Sequence, residues 1–523
     1  MAGSPEARRA VALCVILTLP LLVARAALLG VADPSEARYG QICREMAEGG
    51  DWVVPTWLGI PHLEKPPLAY WAGALGLRLL GRCELALRLG ALLALVASAI
   101  WTAGIARRVA GQAAAAPAAL AILVAPYTVA FGVACHTDPF LLAATTLFHH
   151  SVFRRLRDED PRALDLAAVA LALGILAKGH MVLLFTVVPL ALARTGVFRE
   201  LWRPWRVLLL LATTVPWFAA MEVRFPGFFG HQASALAGRA MGSGHRAPFY
   251  IYVVALAIGL MPFAIFAPRG LGRVGPGDRR LLLLWLLLPL AVLSVAKSRL
   301  PTYILSSVPP VAVLAGVRLG ATRRMMARWP GIVLAICGAA AVAASLAGVP
   351  ASAREALPVA GHLGIAVLVC AIWVWVARAL PRAVVIAGVS AIIVGGVVES
   401  AYVHEEVFHI HRKFARQVAE RSRRSGAPVV LAGMSLPSMG FYCDAPVRIA
   451  GESGRLAREA EAWGRSPLFT PDTDLKDLLR EDRRSVIVVK EEFRLAHAPD
   501  REPWLRMGDL AVVGPAEAVG PVR

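Results

Sequence analysis

Apolar residues run in stretches of about 20, the length an α-helix needs to cross a bilayer, near 11–30, 85–106, 112–133, 137–153, 164–180, 181–198, 206–222, 249–268, 280–296, 302–318, 330–349, 359–377 and 383–401. Recurring at that length, the runs predict an all-α polytopic membrane protein of about 13 transmembrane helices. An odd number of crossings puts the two ends on opposite faces. From about residue 402 the pattern changes: "APVVLAGM", "SVIVVKEEF" and "LAVVG" alternate with charged, helix-like stretches. That change predicts a small soluble α/β C-terminal domain, 402–523, after a transmembrane domain at 1–401. Two connections on the face shared with the tail are long, residues 31–84 and 223–248.

Composition agrees with the pattern: 57% of the 523 residues are hydrophobic and 17% charged, and mean hydropathy is +0.60. A formal charge of +19 would suggest nucleic acid in a soluble chain, but here the basic residues sit in small groups between apolar runs. Alternate connections carry Arg8/Arg9, Arg107/Arg108, Arg154/Arg155/Arg157, Arg199/Arg203/Arg206, Arg269/Arg273/Arg279/Arg280, Arg318/Arg323/Arg324/Arg328 and Arg378/Arg382. By the positive-inside rule these are cytoplasmic, with the N-terminus, and the tail lies outside. Ala24-Arg25-Ala26 also allows a signal-peptide cleavage site, and either way residue 33 falls outside. The seven cysteines (14, 43, 83, 135, 337, 370 and 443) show no CxxC or zinc spacing, so a disulfide framework or structural metal is not expected.

The outer face collects charge where the pattern leaves least reason for it. In "DPSEARYGQICREM", residues 33–46, Asp33 as N-cap, Pro34 in the first helical position and Glu36 in the third form a helix start. Capping does not account for Arg38-Tyr39. "GGDWVVPTWLGIPHLEKPPLAYW", residues 49–71, sets Trp52 and Trp57 at interface depth and Glu64-Lys65 on a loop stiffened by Pro66-Pro67, ahead of Tyr70-Trp71. Asp138 in "CHTDPF" is a carboxylate at a short turn, costly at membrane depth without a partner or a task. His245 and Arg246 follow a Gly-Ser-Gly, and Lys297, Arg299 and Tyr303 fall in "SVAKSRLPTYIL". Each basic residue by itself reads more readily as a snorkelling anchor than as a ligand. Together they give carboxylates and cations on one face, as a site would.

These motifs carry a resemblance. "SEARY", "REM", "GDW" and "EKPP", then "HRAPF" and "SVAKSRLPTYIL" in order, resemble the bacterial lipid A aminoarabinose transferase family of the glycosyltransferase C superfamily, which includes protein O-mannosyltransferases. The likeness covers roughly residues 31–310, and beyond it only the arrangement matches. It implies a polyprenyl-phosphate-linked sugar donor, an inverting transfer at the periplasmic face of the bacterial inner membrane, and a lipid A-like, glycan or protein acceptor. It also implies no required cofactor and a chain that works as a monomer among membrane lipids, without nucleic acid. Lys65, then Arg246, Lys297, Arg299 and Tyr303, would meet the donor phosphate as negative charge develops on it. Arg38, Tyr39, Glu64, Tyr70 and His245 would line the sugar or acceptor pocket, and Lys178 in "LAKGH" matches a family position and reads equally as a simple interface anchor. Glu64 with His245 is a candidate pair for a divalent cation, and two ligands fall short of a metal site by themselves.

One position departs from the family. The base there is the Asp of an Asp-Glu pair, and this chain has Ser35 in its place. Glu36 is retained; Asp33 lies one helical turn away and could reach the same spot. Glu36 is preferred because Asp33 is accounted for as a cap. Asp138 matches the family's second acidic position, where it would orient the acceptor or adjust the base. A transporter or flippase of lipid-linked sugars is the alternative, and would show charges and breaks near the middle of several spans. A scaffold whose tail binds a partner leaves Glu64-Lys65 and the outer cations without a task.

Overall fold

The structure, a computed structural model, describes residues 5–241, 247–321, 329–346, 357–377, 380–405, 410–444, 446–451, 455–464 and 466–514. The protein is mostly helical, with several apolar helices. It divides into two units, one of Met1–Leu28, Glu64–Ala72 and Arg88–Val403, the other of Leu29–Leu63, Gly73–Leu87 and His404–Arg523.

The larger unit is the helical one. Five described helices are long and apolar enough to cross a membrane: Pro5–Leu28, Glu84–Ala110, Pro204–Arg224, Pro301–Gly320 and Ala383–Val403. Counting two bent pairs as single spans makes seven. That is fewer than the thirteen expected, although helix lies over each of the apolar stretches. Breaks account for much of the difference. The stretch at 112–133 bends by 57° where Pro126 follows an extended Ala125, and the stretch at 249–268 bends by 96° between Ile251–Gly259 and Phe263–Leu271. Thr186 splits another into Met181–Phe185 and Val187–Ala193. Large apolar side chains remain exposed along the long helices, Leu208 at 67% and Val295 at 82%, as a hydrocarbon surround permits. Inside, close approach depends on small residues. A Cβ at Gly316 would come within 2.7 Å of the Ala114 carbonyl oxygen and the Ala118 Cβ, and one at Gly270 within 2.0 Å of the Leu314 carbonyl oxygen.

The arginine-rich connections meet one another through ion pairs. Arg108 contacts Asp158 at 2.6 Å, Arg155 contacts Glu200 at 2.9 Å, Arg206 contacts Asp165 at 2.7 Å, and Arg157 pairs with Asp278. Four connections far apart in sequence therefore share one end of the bundle. The Thr137–Arg157 helix leads away from it; 21 residues at 1.5 Å each span roughly 31 Å, about one hydrocarbon thickness.

The smaller unit holds all the strands among the described residues. β1 (Thr56–Trp57) and β2 (Ile60–Pro61) form an antiparallel hairpin. β3 (Val429–Ala432), β4 (Val447–Ala450), β5 (Phe469–Thr470), β6 (Val486–Lys490), β7 (Leu505–Met507) and β8 (Leu510–Val513) form one sheet in the order β5-β4-β3-β6-β8-β7. β3, β4, β5 and β6 are parallel, and β8 pairs antiparallel with β6 and β7. Val430, Ala432, Ile487, Val489, Ala511 and Val513 make its core with Leu479. The three stretches singled out in the sequence are β3, β6 and β8. β4 escapes notice because Arg448 interrupts it, and β5 and β7 are too short for alternation to register.

Candidate active-site residues

In the helical unit, the end of the Thr137–Arg157 helix remote from the arginine cluster carries Asp138, in its first turn. The neighbouring Ala163–Lys178 helix finishes beside it, and its last residue, Lys178, donates from Nζ to Asp138 Oδ1 at 2.5 Å. The side chains are 10% and 7% exposed. Each charge complements its own helix dipole, the carboxylate at an N-terminus and the ammonium at a C-terminus. Tyr303 covers the pair, its ring centroid 4.6 Å from Lys178 Nζ, within cation–π reach. The carboxylate that looked isolated in sequence thus has a partner 40 positions on, and Lys178 is a buried ligand of it, not an interface anchor.

Around this trio stand groups the sequence reading did not single out. Tyr252 is fully buried, and the Tyr127 hydroxyl donates to the Pro301 carbonyl oxygen. Arg299 is half-buried and donates from Nε to Ser294 O at 3.1 Å and from Nη1 to Ala247 O at 2.6 Å, so it ties its own loop to the segment before the Ile251–Gly259 helix. Lys297 is exposed. Glu64 and Lys65 are half-buried in the turn before the Leu68–Leu80 helix, and Tyr70 within that helix is fully buried. His245 and Arg246 lie outside the described residues, and with them the candidate Glu64–His245 pair. Among the described residues, no group of three or more His, Cys, Asp or Glu side chains could hold a metal ion.

In the smaller unit, the helix expected after Asp33 forms at Ser35–Ala47, but Asp33 is not its cap. Pro34 occupies the cap position with no side-chain hydrogen bond to the helix, and Glu36 is the second helical residue. The Asp33 carboxylate instead accepts from the Ser438 backbone N–H at 3.0 Å and pairs with His411 Nδ1 at 2.9 Å. Glu36 is buried, 2% exposed, and its Oε2 accepts from the Ala32 backbone N–H at 3.3 Å. Tyr39 is buried on the same helix, and Arg38 lies over the Trp57 ring at 5.5 Å.

Trp57 itself is buried against protein, its indole N–H donating to Gln41 at 2.9 Å, so it is no interfacial anchor. Glu45 shapes the hairpin. Its oxygens accept from Thr56 Oγ1 at 2.8 Å, Leu58 N at 2.7 Å and Gly59 N at 3.2 Å. Burial pushes its carboxyl above the ordinary glutamate value, against these hydrogen bonds, which act to lower it.

Known proteins place these features in context. The family model described as dolichyl-phosphate-mannose-protein mannosyltransferase matches residues 64–220. Over 340 residues, 60% of this chain, the sequence is 32% identical to undecaprenyl phosphate-alpha-4-amino-4-deoxy-L-arabinose arabinosyl transferase of Edwardsiella ictaluri. Over 306 residues, 55% of the chain, it is 32% identical to a Pseudomonas fluorescens protein of that name. The matched stretches span 60% and 53% of these relatives, so the chain covers little more than half the length of the curated proteins it matches. The crystal structure of ArnT from Cupriavidus metallidurans bound to undecaprenyl phosphate superposes with a TM-score of 0.79, covering 96% of this chain and 97% of that one at 24% identity. The fold is shared over that extent.

Proposed function

We propose that this chain, a relative of the aminoarabinose arabinosyl transferases that shares their fold, is an integral-membrane inverting glycosyltransferase. In this reading it takes a sugar from undecaprenyl phosphate and passes it to a lipid A-like acceptor at the periplasmic face of the inner membrane. The thirteen apolar stretches cross the bilayer, several as broken or short helices, and the α/β tail stands on the periplasmic side. The observation that carries the reading is the buried Asp138–Lys178 pair under Tyr303, at the bundle end opposite the arginine connections. Charge held inside a membrane protein is costly and marks the place where chemistry is done.

The transfer is a single displacement. Glu36 takes the acceptor hydroxyl proton while that oxygen attacks the anomeric carbon. The bond from that carbon to the donor phosphate oxygen breaks, and its electron pair leaves on the polyprenyl phosphate. Lys65 and Arg246 stabilise the charge that develops there, with Lys297, Arg299 and Tyr303 behind them. Attack opposite the leaving group inverts the sugar without a covalent enzyme intermediate. Asp138, held by Lys178, orients the acceptor, and Arg38, Tyr39, Glu64, Tyr70 and His245 line the sugar pocket. These steps use no cofactor. The test is transfer by the purified protein from polyprenyl-phosphate sugars to lipid A, with Lys65→Ala and Glu36→Gln expected to abolish turnover while remaining folded. Full activity in both variants would refute the assignment; movement of the intact lipid-linked sugar between leaflets without transfer would favour a flippase.

A further inference from the structure

Asp33 has two tasks open to it, proton acceptor or structural tie, and its surroundings separate them. Both carboxylate oxygens are committed to protein donors: Oδ1 to the Ser438 N–H and Oδ2 to His411 Nδ1. The side chain is 6% exposed. A general base must offer substrate an oxygen that is not already tied, and on Asp33 each oxygen already holds a protein donor. What Asp33 does hold is the start of the Ser35–Ala47 helix against the tail. Beside it Ala32 bridges to Ile410, and the Val31 N–H donates to the Tyr442 hydroxyl at 3.0 Å.

The far end of the same helix is tied to the same piece of tail. Arg44 Nη1 donates to the Gly440 carbonyl oxygen at 2.7 Å and to the Cys443 carbonyl oxygen. The short Pro437–Tyr442 helix therefore receives an acidic group at its first turn and a basic group at its last, each where the exposed backbone groups call for it. Between the ties the helices pack closely: a Cβ at Gly440 would come within 2.2 Å of the Gln41 side chain, and one at Gly40 within 3.1 Å of Phe441. Glu84 sits behind, accepting from the Tyr442 hydroxyl at 3.1 Å and facing Arg412 and Arg416 at 3.8 and 3.5 Å.

We propose that Asp33 is a positioning residue, the latch by which the C-terminal tail holds the start of the helix that carries Glu36. The inference rests on the reading of Glu36 as base, and it gives the tail a role in that reaction: the α/β fold is the bed on which the catalytic helix is aligned. An offset of about 1 Å in a reacting group can cost about 100-fold in rate, so the tie acts on kcat more than on donor binding.

The experiment uses the full-length protein in detergent micelles. Asp33→Asn keeps an oxygen for the Ser438 N–H and a polar contact for His411, and is expected to retain kcat to within about tenfold, the scale of exchanging a charged for a neutral hydrogen bond. Asp33→Ala loses both ties and is expected to lose about 100-fold in kcat with donor KM little changed. Hydrogen exchange of residues 35–47 and 437–443 should rise in Asp33→Ala and stay at the wild-type level in Asp33→Asn and Glu36→Gln. If Asp33→Ala does not accumulate, His411→Ala, which removes one tie, takes its place. Asp33→Asn as inactive as Asp33→Ala, with exchange unchanged in both, would make Asp33 the base and overturn the latch, as would full activity in Asp33→Ala. Should the wild-type chain transfer no sugar, the functional reading fails by itself, and the exchange measurements still decide whether Asp33 is a latch.

Discussion

Breaking the Asp138–Lys178 pair from one side leaves a charge buried without its partner. The two groups lie 2.5 Å apart, 10% and 7% exposed, and removing one member of such a pair costs about 3–5 kcal/mol. Each survivor keeps its helix end, worth about 0.3–1 kcal/mol, so Lys178→Met and Asp138→Asn should each destabilise by about 2–4 kcal/mol. Lys178→Met also loses the contact with Tyr303 and belongs at the upper end of that range. In the double variant neither charge remains to be stranded, and its loss should fall short of the sum of the single losses by about 2 kcal/mol or more. The assay is unfolding of the purified protein in mixed micelles as the denaturing detergent fraction rises, followed by circular dichroism for all four proteins. Single variants each within about 1 kcal/mol of wild type, with an additive double, would show that the pair is solvated and refute the argument from burial.

Gly270→Ala places a Cβ 2.0 Å from the Leu314 backbone oxygen; the helices must separate, at a cost of about 1–3 kcal/mol, readable in the same unfolding assay. Glu45→Ala strips the acceptor from the Leu58 and Gly59 amides, and limited proteolysis should cut within residues 51–61 sooner than in wild type. Because burial raises the Glu45 carboxyl value, its contribution to stability is fully present below the ordinary glutamate value and is lost as pH rises through the raised one. Glu45→Gln should flatten that part of the pH–stability profile. Asp444 is held below the ordinary aspartate value by its hydrogen bond from Arg82, so its contribution is present above the ordinary value and lost as pH falls through the lowered one. With the Asp444 side chain 54% exposed, Asp444→Asn should cost less than about 1 kcal/mol, and less again in high salt.

Local signals account for what the sequence disclosed. Apolar run length placed helix over every stretch from 11–30 to 383–401, because burying backbone polar groups in an apolar surround demands helix wherever it occurs. Grouped arginines picked out four connections that share one end of the bundle, since unpaired charge at membrane depth is costly. β3, β6 and β8 were visible as short β-branched runs, and the motif series around Glu36 and Glu64-Lys65 led to the family whose fold the chain shares.

Other features have no local signal. Pro34 and Glu36 spell a helix start, and the helix is there, but nothing near Asp33 announces that its carboxylate will bind His411, 378 positions on. Asp138 and Lys178 could each be recognised as unusual from their surroundings, yet their pairing depends on where the chain turns between two helices. The same holds for Trp57, an apparent membrane anchor that the fold buries on Gln41. By itself the sequence determined which segments are helical and which residue types stand at their ends, because hydrophobic periodicity and the cost of unpaired backbone act over a few residues. The tertiary structure decided which of those charges meet, because an ion pair or a cap forms only where the returning chain delivers its partner.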